Sequence, residues 1–382
     1  MAAEGPMTRL RMNPNLLKVP LYIAGKSIEE VQEEFGLDDV VKMASNENPL
    51  GPSPRAIEAL VRALPDAHRY PGAADRALRR RLGPRSHPSF DERHVITGNG
   101  ATDLIRSIVQ AFIFDGGEVV TGHLTFPMYA ICTTMFGGAV RRVPPRKDLG
   151  LDLEAMAQAI TSNTRLVFVS TPNNPTGMIC RRLEVSAFMN SLPEGVVAVF
   201  DESYRDFVSD GDYPDPTEYI AEGRDVIVLR SFSKAAGLAN LRVGYAISTQ
   251  EIIHYLQHAQ LPFNTGAPVL VAALASLDDG DYVARSRKLV DEQRAFLYER
   301  LDALDVRYVP SHTNFILLTD LPMDANAFSE LLIRQGVIVR PMNAGGLDRA
   351  VRVSVGHRED NEKYLGAMQV VLEGVRARSP VA

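Results

Sequence analysis

The chain has 382 residues, 45% hydrophobic and 23% charged, with a net charge of −6. That length supports one large core with a smaller second unit, and mild acidity argues against a general nucleic-acid or membrane surface, which needs basic patches. Two cysteines, Cys132 and Cys180, stand without CxxC or metal spacing, which speaks against a disulfide framework and fits a reducing cytoplasm.

In chain order, Met1 to Leu17 mixes Arg, Glu, Pro and Asn with no apolar core, so it does not read as a secretory signal. No apolar stretch approaches the ~18 residues of a membrane span. Arg79-Arg80-Arg81 falls between Leu78 and Leu82 and reads as the solvated or subunit-facing side of a helix. Short, β-branched, mostly continuous apolar runs follow: Val95-Ile96, Glu118 to Val120, Leu166 to Val169, Val196 to Phe200, Val226 to Leu229 and Gly244 to Ile247. Helical patterns lie between them, as at Leu151 to Ile160 and Arg182 to Asn190. Such runs predict strands buried on both faces of a mostly parallel α/β sheet with helices on both sides.

From about Asp278 the texture changes. A charged helix pattern, Tyr282 to Leu304, leads to Asn314 to Leu318, a helix from Ala325 to Gln335 stopped by Gly336, and then Val337 to Arg340 and Val351 to Val355. These last strands read as alternating, with one polar face, in a smaller α+β domain. The expected division is an arm at 1–43, a large domain at 44–277 and a small domain at 278–382.

Ligands in an open parallel sheet sit outside the carboxyl ends of the strands, and four runs end there in unusual polar residues. One ends in Gly98-Asn99-Gly100-Ala101-Thr102-Asp103, one in Asn173-Asn174-Pro175-Thr176-Gly177, one in Asp201-Glu202-Ser203-Tyr204, and one in Ser231-Phe232-Ser233-Lys234. A lysine past a buried strand, with hydroxyls and Arg242 nearby, is suited to hold a carbonyl as an imine while its neighbours grip a phosphate, as pyridoxal phosphate (PLP) requires. Asp201 would face a pyridine nitrogen or, equally, cap a helix. Tyr204, three residues on and on the same side of an expected helical turn, could reach the phenolic oxygen together with Asn174. Gly100, Ala101 and Thr102 at a helix start supply phosphate donors, with Ser231, Ser233 and Arg242 completing the cup. Phe126 could stack on the ring or simply pack in the core. Arg340 and Arg352 could clamp an anion, or face solvent from amphipathic strands.

These residues together resemble the fold type I PLP-dependent aminotransferases of class I/II. The resemblance runs from Ser45-Asn46-Glu47-Asn48-Pro49 to Arg352-Val353-Ser354-Val355-Gly356. It is nearest the histidinol-phosphate aminotransferases, on Tyr22 to Ser27, Arg69-Tyr70-Pro71, Ser233 to Ala239 and Val339 to Met342. It implies PLP as cofactor, Lys234 as its imine lysine, Asp201 under the ring nitrogen, and Tyr204 and Asn174 at the phenolic oxygen. It implies Ala101, Thr102, Ser231, Ser233 and Arg242 at the phosphate, with Tyr70 reaching it from the partner of a homodimer. Arg340 and Arg352 match positions that hold the substrate's anionic end, with Tyr22 and Asn174 beside them. The expected reaction moves an amino group from a small-molecule donor, histidinol phosphate or an aromatic amino acid, to a 2-oxo acid such as 2-oxoglutarate. Departures near Asn240 and Thr265 motivate one rival, the same fold with oxidation, decarboxylation or elimination as its outcome, and the departure at Ala344 to Asp348 bears on the substrate pocket. A rival of another class is a non-catalytic PLP-binding regulator, though such proteins usually carry a DNA-binding appendage and the N-terminal arm here is short and little basic.

Overall fold

The structure is a computed structural model that describes residues 12–21 and 25–378. Its strands, in chain order, are β1 (Val41–Lys42), β2 (Val95–Gly98), β3 (Glu118–Gly122), β4 (Ala139–Val143), β5 (Thr164–Ser170), β6 (Val197–Asp201), β7 (Val226–Ser231), β8 (Gly244–Ile247), β9 (Tyr308–Val309), β10 (Phe315–Leu318), β11 (Val337–Ile338), β12 (Arg340–Pro341) and β13 (Val351–Ser354). Seven of them form one sheet in the order β2-β8-β7-β6-β5-β3-β4. Only β8 runs against its neighbours, pairing antiparallel with both β2 and β7. Every parallel strand, β2 included, therefore ends at the same edge.

The continuous apolar runs follow from burial on both faces. Val167, Val169, Ala198, Phe200, Val226 and Val228 pack against Met156, Val185, Phe188 and Met189 of the helices at Leu153–Gln158 and Arg182–Ser191. The alternate residues Leu166, Phe168, Val197, Val199, Ile227 and Leu229 pack on the other face. There they meet Leu104, Ile105 and Ile108 of helix Ala101–Phe112, Tyr129 of Met128–Met135 and Ile253 of Gln250–Ala259. With period two, one strand feeds two cores, so the mostly parallel α/β reading holds.

A second sheet has the order β12-β13-β10-β9. Ile316, Leu318, Val351 and Val353 bury one face against Leu297, Leu301, Phe328, Leu332, Tyr364 and Met368 of three helices. Two expectations need correction here. The Val337–Arg340 run is not one strand: β11 pairs parallel with β1, while β12 pairs antiparallel with β13. The other face of this sheet is also not a solvent face, because β10 is buried throughout. Phe315 packs with Tyr204, Phe207 and Ala235, and Leu317 belongs to a cluster packed against by Leu149 and Met178, so that face meets the seven-stranded unit.

Candidate active site

Strand register places the motifs. Asp201 on β6 sits level with Ser170 on β5 and Leu229 on β7. Gly244 on β8 lies between Ser231 of β7 and Gly98 of β2. The loops that leave these positions carry Asn174, Tyr204, Lys234 and Gly100–Thr102, so all four emerge along one stretch of the sheet edge.

The Lys234 ammonium donates to the carbonyls of Ser45, at 3.3 Å, and Asn46, at 3.2 Å. It lies 5.6 Å from the Tyr204 ring centroid. Tyr204 is not on a helical turn with Asp201, as its spacing suggested. Asp201 closes β6, and Tyr204 is the residue before a short 3-10 helix at Arg205–Phe207. Its ring stands edge-on to Phe315, 5.2 Å between centroids, and its hydroxyl oxygen accepts from Asn46 Nδ2 at 2.9 Å.

Asp201 is buried, and three groups donate to it. Ser203 N–H and Oγ reach Oδ1 at 3.0 and 2.6 Å, and Tyr129 OH reaches Oδ2 at 2.7 Å. Ser203 follows Asp201 in the turn, which caps the strand end rather than a helix. Tyr129 is fully buried and stacked on Phe168 at 4.6 Å. Burial, followed by the Asp201 charge, pushes its hydroxyl well above the ordinary tyrosine value, so it stays a neutral donor. Phe126 stands edge-on to Tyr129, 5.8 Å between centroids, and so shares this corner.

Gly100 precedes helix Ala101–Phe112 with φ +80, and no side chain caps that helix start. A Cβ at Gly100 would collide with the Arg242 guanidinium, and one at Gly244 would come within 2.9 Å of Ala101 N. The backbone conformation therefore favours glycine at position 100, and a side chain there would displace the Arg242 guanidinium. Arg242, itself in the left-handed region, donates to Ala239 O at 2.8 Å and to Ser233 Oγ at 3.4 Å, and Ser231 Oγ accepts from Ser233 N–H at 3.0 Å. A helix start, two hydroxyls and a guanidinium are thus neighbours at this strand edge, the donor types of a phosphate site.

Across the crevice, Arg352 donates from Nη1 to Asn174 Oδ1 at 2.5 Å and from Nη2 to Ala44 O at 2.7 Å. It does not point to open solvent. Arg340 on β12 is directly opposite Arg352 on β13. Like charges facing each other across a ladder are unfavourable, and an anion between them reverses the sign. Tyr70 is not brought to Lys234 within this chain. It is 79% exposed and stacks on Phe263, 4.7 Å between centroids. Tyr22 lies outside the described residues.

Sequence reasoning missed three supports. Tyr129, Asn46 and Glu202 stand within segments the sequence singles out, but no role falls to them there. Glu202 is in fact buried, accepting from Arg230 Nε at 2.8 Å, with the Tyr213 hydroxyl 3.0 Å from Oε1. That hydroxyl is also 2.6 Å from Thr171 O. The cluster therefore ties together the ends of β5, β6 and β7. Acidic residues one and two places from a strand end carry a weak signal, and the partners are tertiary.

A phosphorylated pyridine aldehyde fits this donor set: the Gly100 helix start for phosphate, a hydrogen-bonded carboxylate for a ring nitrogen, and a lysine for the aldehyde. Residues 38–368 match the family model "Aminotransferase class I and II". The chain is 40% identical to the histidinol-phosphate aminotransferase of Moorella thermoacetica, covering 94% of this chain and 92% of that one. It is also 40% identical to histidinol-phosphate aminotransferase 2 of Pseudomonas aeruginosa, over 94% and 97%. The crystal structure of histidinol-phosphate aminotransferase from Sinorhizobium meliloti in complex with pyridoxal-5'-phosphate superposes with a TM-score of 0.86 at 26% identity, covering 98% of this chain and all of that one. The chain belongs to the class I and II aminotransferases of the fold type I PLP enzymes, and pyridoxal 5'-phosphate is its cofactor.

Proposed function

We propose that this aminotransferase takes its amino group from histidinol phosphate and passes it to 2-oxoglutarate or a similar 2-oxo acid, in histidine biosynthesis. The observation that carries the reading is Arg340 facing Arg352 across one ladder, opposite the Lys234 group, in a chain whose relatives at 40% identity bear that name. When bound, the cofactor supplies an aldehyde that captures amines and a ring that takes up the electron pair left on carbon. Lys234 is the proton carrier: its Nζ removes the proton from the amino-bearing carbon and returns it further along the bound system. Asp201 would sit at the ring nitrogen, and Phe126 would pack against the ring. Tyr204 and Asn174 donate to the phenolic oxygen. Gly100, Ala101, Thr102, Ser231, Ser233 and Arg242 bind the cofactor's phosphate, and Arg340 and Arg352 orient the substrate's anionic end. A donor half-reaction followed by an acceptor half-reaction gives ping-pong kinetics.

The arm at 1–43, a large domain at 44–277 and a small domain at 278–382 are the units of this reading. A homodimer belongs to it as well. Tyr70 and Phe263 form an exposed aromatic step beside Leu261, and Ile57, Val61 and Leu64 are exposed too. Apolar exposure of this kind supports an interface, from which Tyr70 would reach the partner's phosphate site. The reaction is placed in the cytoplasm, where two buried free cysteines fit. No described helix is long and apolar enough to cross a membrane.

Steady-state rates with histidinol phosphate and with phenylalanine, each with 2-oxoglutarate, test the assignment. Higher kcat/KM for histidinol phosphate is expected. Preference for phenylalanine makes the protein an aromatic aminotransferase, and turnover of neither rejects the substrate assignment. Oxygen uptake without a 2-oxo acid would identify the oxidative rival.

A further inference from the structure

Asn46 is 1% exposed and uses each polar atom it has. Its N–H donates to Ser354 Oγ at 2.8 Å, and Ser354 Oγ donates in return to Asn46 Oδ1 at 3.2 Å. Its Nδ2 donates to Tyr204 OH at 2.9 Å. Its carbonyl accepts from Lys234 Nζ at 3.2 Å and from Asn314 Nδ2 at 3.0 Å. The residue lies at φ +54, a left-handed conformation that asparagine tolerates better than most side chains. Ser354 is buried on β13, two residues from Arg352.

We propose that Asn46 and Ser354 are positioning residues for Tyr204, fixing the direction of its hydroxyl proton from the strand that also carries Arg352. The chemistry is directional. An amide NH2 donates and cannot accept, so the Tyr204 oxygen accepts from Asn46 and keeps its own proton for another acceptor. Ser354 gives its single proton to Asn46 Oδ1, and this sets which end of the amide faces Tyr204. A donor bond received by the phenol also strengthens the bond the phenol gives. The Tyr204 ring cannot turn away, because Phe315 and Phe207 pack beside it.

The inference rests on Tyr204 donating to the cofactor's phenolic oxygen, and the test separates the two. The readout is the pH midpoint of the visible absorbance of the PLP-loaded protein without substrate. A donor to the phenolic oxygen stabilises the state with more negative charge there, so losing it raises the midpoint. Tyr204→Phe is expected to raise it by about one pH unit, the size of a hydrogen bond to a charged group. Asn46→Gly keeps the positive φ unstrained and leaves the carbonyl facing Lys234, removing only the amide. It is expected to raise the midpoint part of the way, and Ser354→Ala by less. In a Tyr204→Phe background Asn46→Gly should add nothing, since its effect passes through the missing hydroxyl. A shift from Asn46→Gly that persists in that background overturns the proposal. So does an unchanged midpoint in both Asn46→Gly and Ser354→Ala while Tyr204→Phe moves it. If Tyr204→Phe itself moves nothing, the role of Tyr204 fails and the inference falls with it. Ser354→Ala removes one buried hydroxyl and keeps the test available where the glycine variant does not fold.

Discussion

At the edge of the seven-stranded sheet, Asp201 is buried under three donors, and Glu202, next in the chain, is held by Arg230 and Tyr213. Across the crevice, Arg340 and Arg352 are half-buried on paired strands, with like charges opposite one another. The first wall is closed by carboxylates paired with their own neighbours. The second sets two arginines on facing strands, with Arg352 bonded to Asn174 and Ala44, and in the proposed reading it takes the substrate's anion. The first arrangement suits a resident group that must be held in one geometry through two half-reactions, the second a molecule that enters and leaves.

Lys234→Ala tests the first wall most severely. It is expected to lower turnover by at least roughly 10⁴-fold, the upper range for a general acid–base group. It should also abolish the amine-responsive shift in the visible spectrum of the loaded protein. Next in size is Arg230→Met, which leaves the buried Glu202 with only the Tyr213 hydroxyl and the more distant Arg205, 3.8 Å away. Loss of one partner of a buried pair costs about 3–5 kcal/mol, read as a lower midpoint in urea. Replacing Glu202 and Arg230 together by Leu and Met should cost less than Arg230→Met alone. Equal losses would show that the pair is not acting as a unit.

The second wall predicts a different kinetic signature. Arg352→Ala should raise KM for the anionic donor by about 10²-fold, as expected for a lost charge-assisted double contact, with a smaller effect on kcat. A drop confined to kcat would place Arg352 on the first wall, through its bond to Asn174. Tyr129→Phe removes one of three donors to Asp201 and keeps the stack on Phe168. The expected cost is about tenfold in kcat, near the worth of one hydrogen bond to a charged group, with KM for the anionic donor unchanged.

The first wall was legible in sequence because its chemistry places rare residue types at strand ends. Lys234, Asp201 and the Gly98–Thr102 turn each break an apolar run, and the strand register then aligns them. The supports were not legible. Tyr129 sits within the helix Met128–Met135, where an aromatic at helical spacing packs in a core by default, and only the fold reveals Asp201 over its hydroxyl. Asn46 and Ser354 are 308 positions apart. The second wall was half-legible: alternation put Arg352 and Ser354 on one face, but could not show that this face meets another sheet. Nor could it show that Val339 would separate β11 from β12, because strand pairing partners are set by tertiary structure and not by period.

The seam between the walls supplies the smallest effect. His312 donates its backbone N–H to Gly177 O at 2.8 Å, and the charges of Arg294, Asp210 and Arg181 act on its imidazole. Burial, and then the Arg294 charge, lower its pKa below the ordinary histidine value, with Asp210 opposing. The unfolded chain therefore binds a proton at a pH where the folded chain does not. Stability must rise with pH through this window, and must fall as pH drops below the ordinary histidine pKa toward the depressed one. His312→Asn, which cannot titrate, should flatten the slope of urea stability against pH between about 5 and 7, with little change at pH 8. An unchanged slope would mean that His312 titrates alike in both states and that the seam carries no such charge penalty.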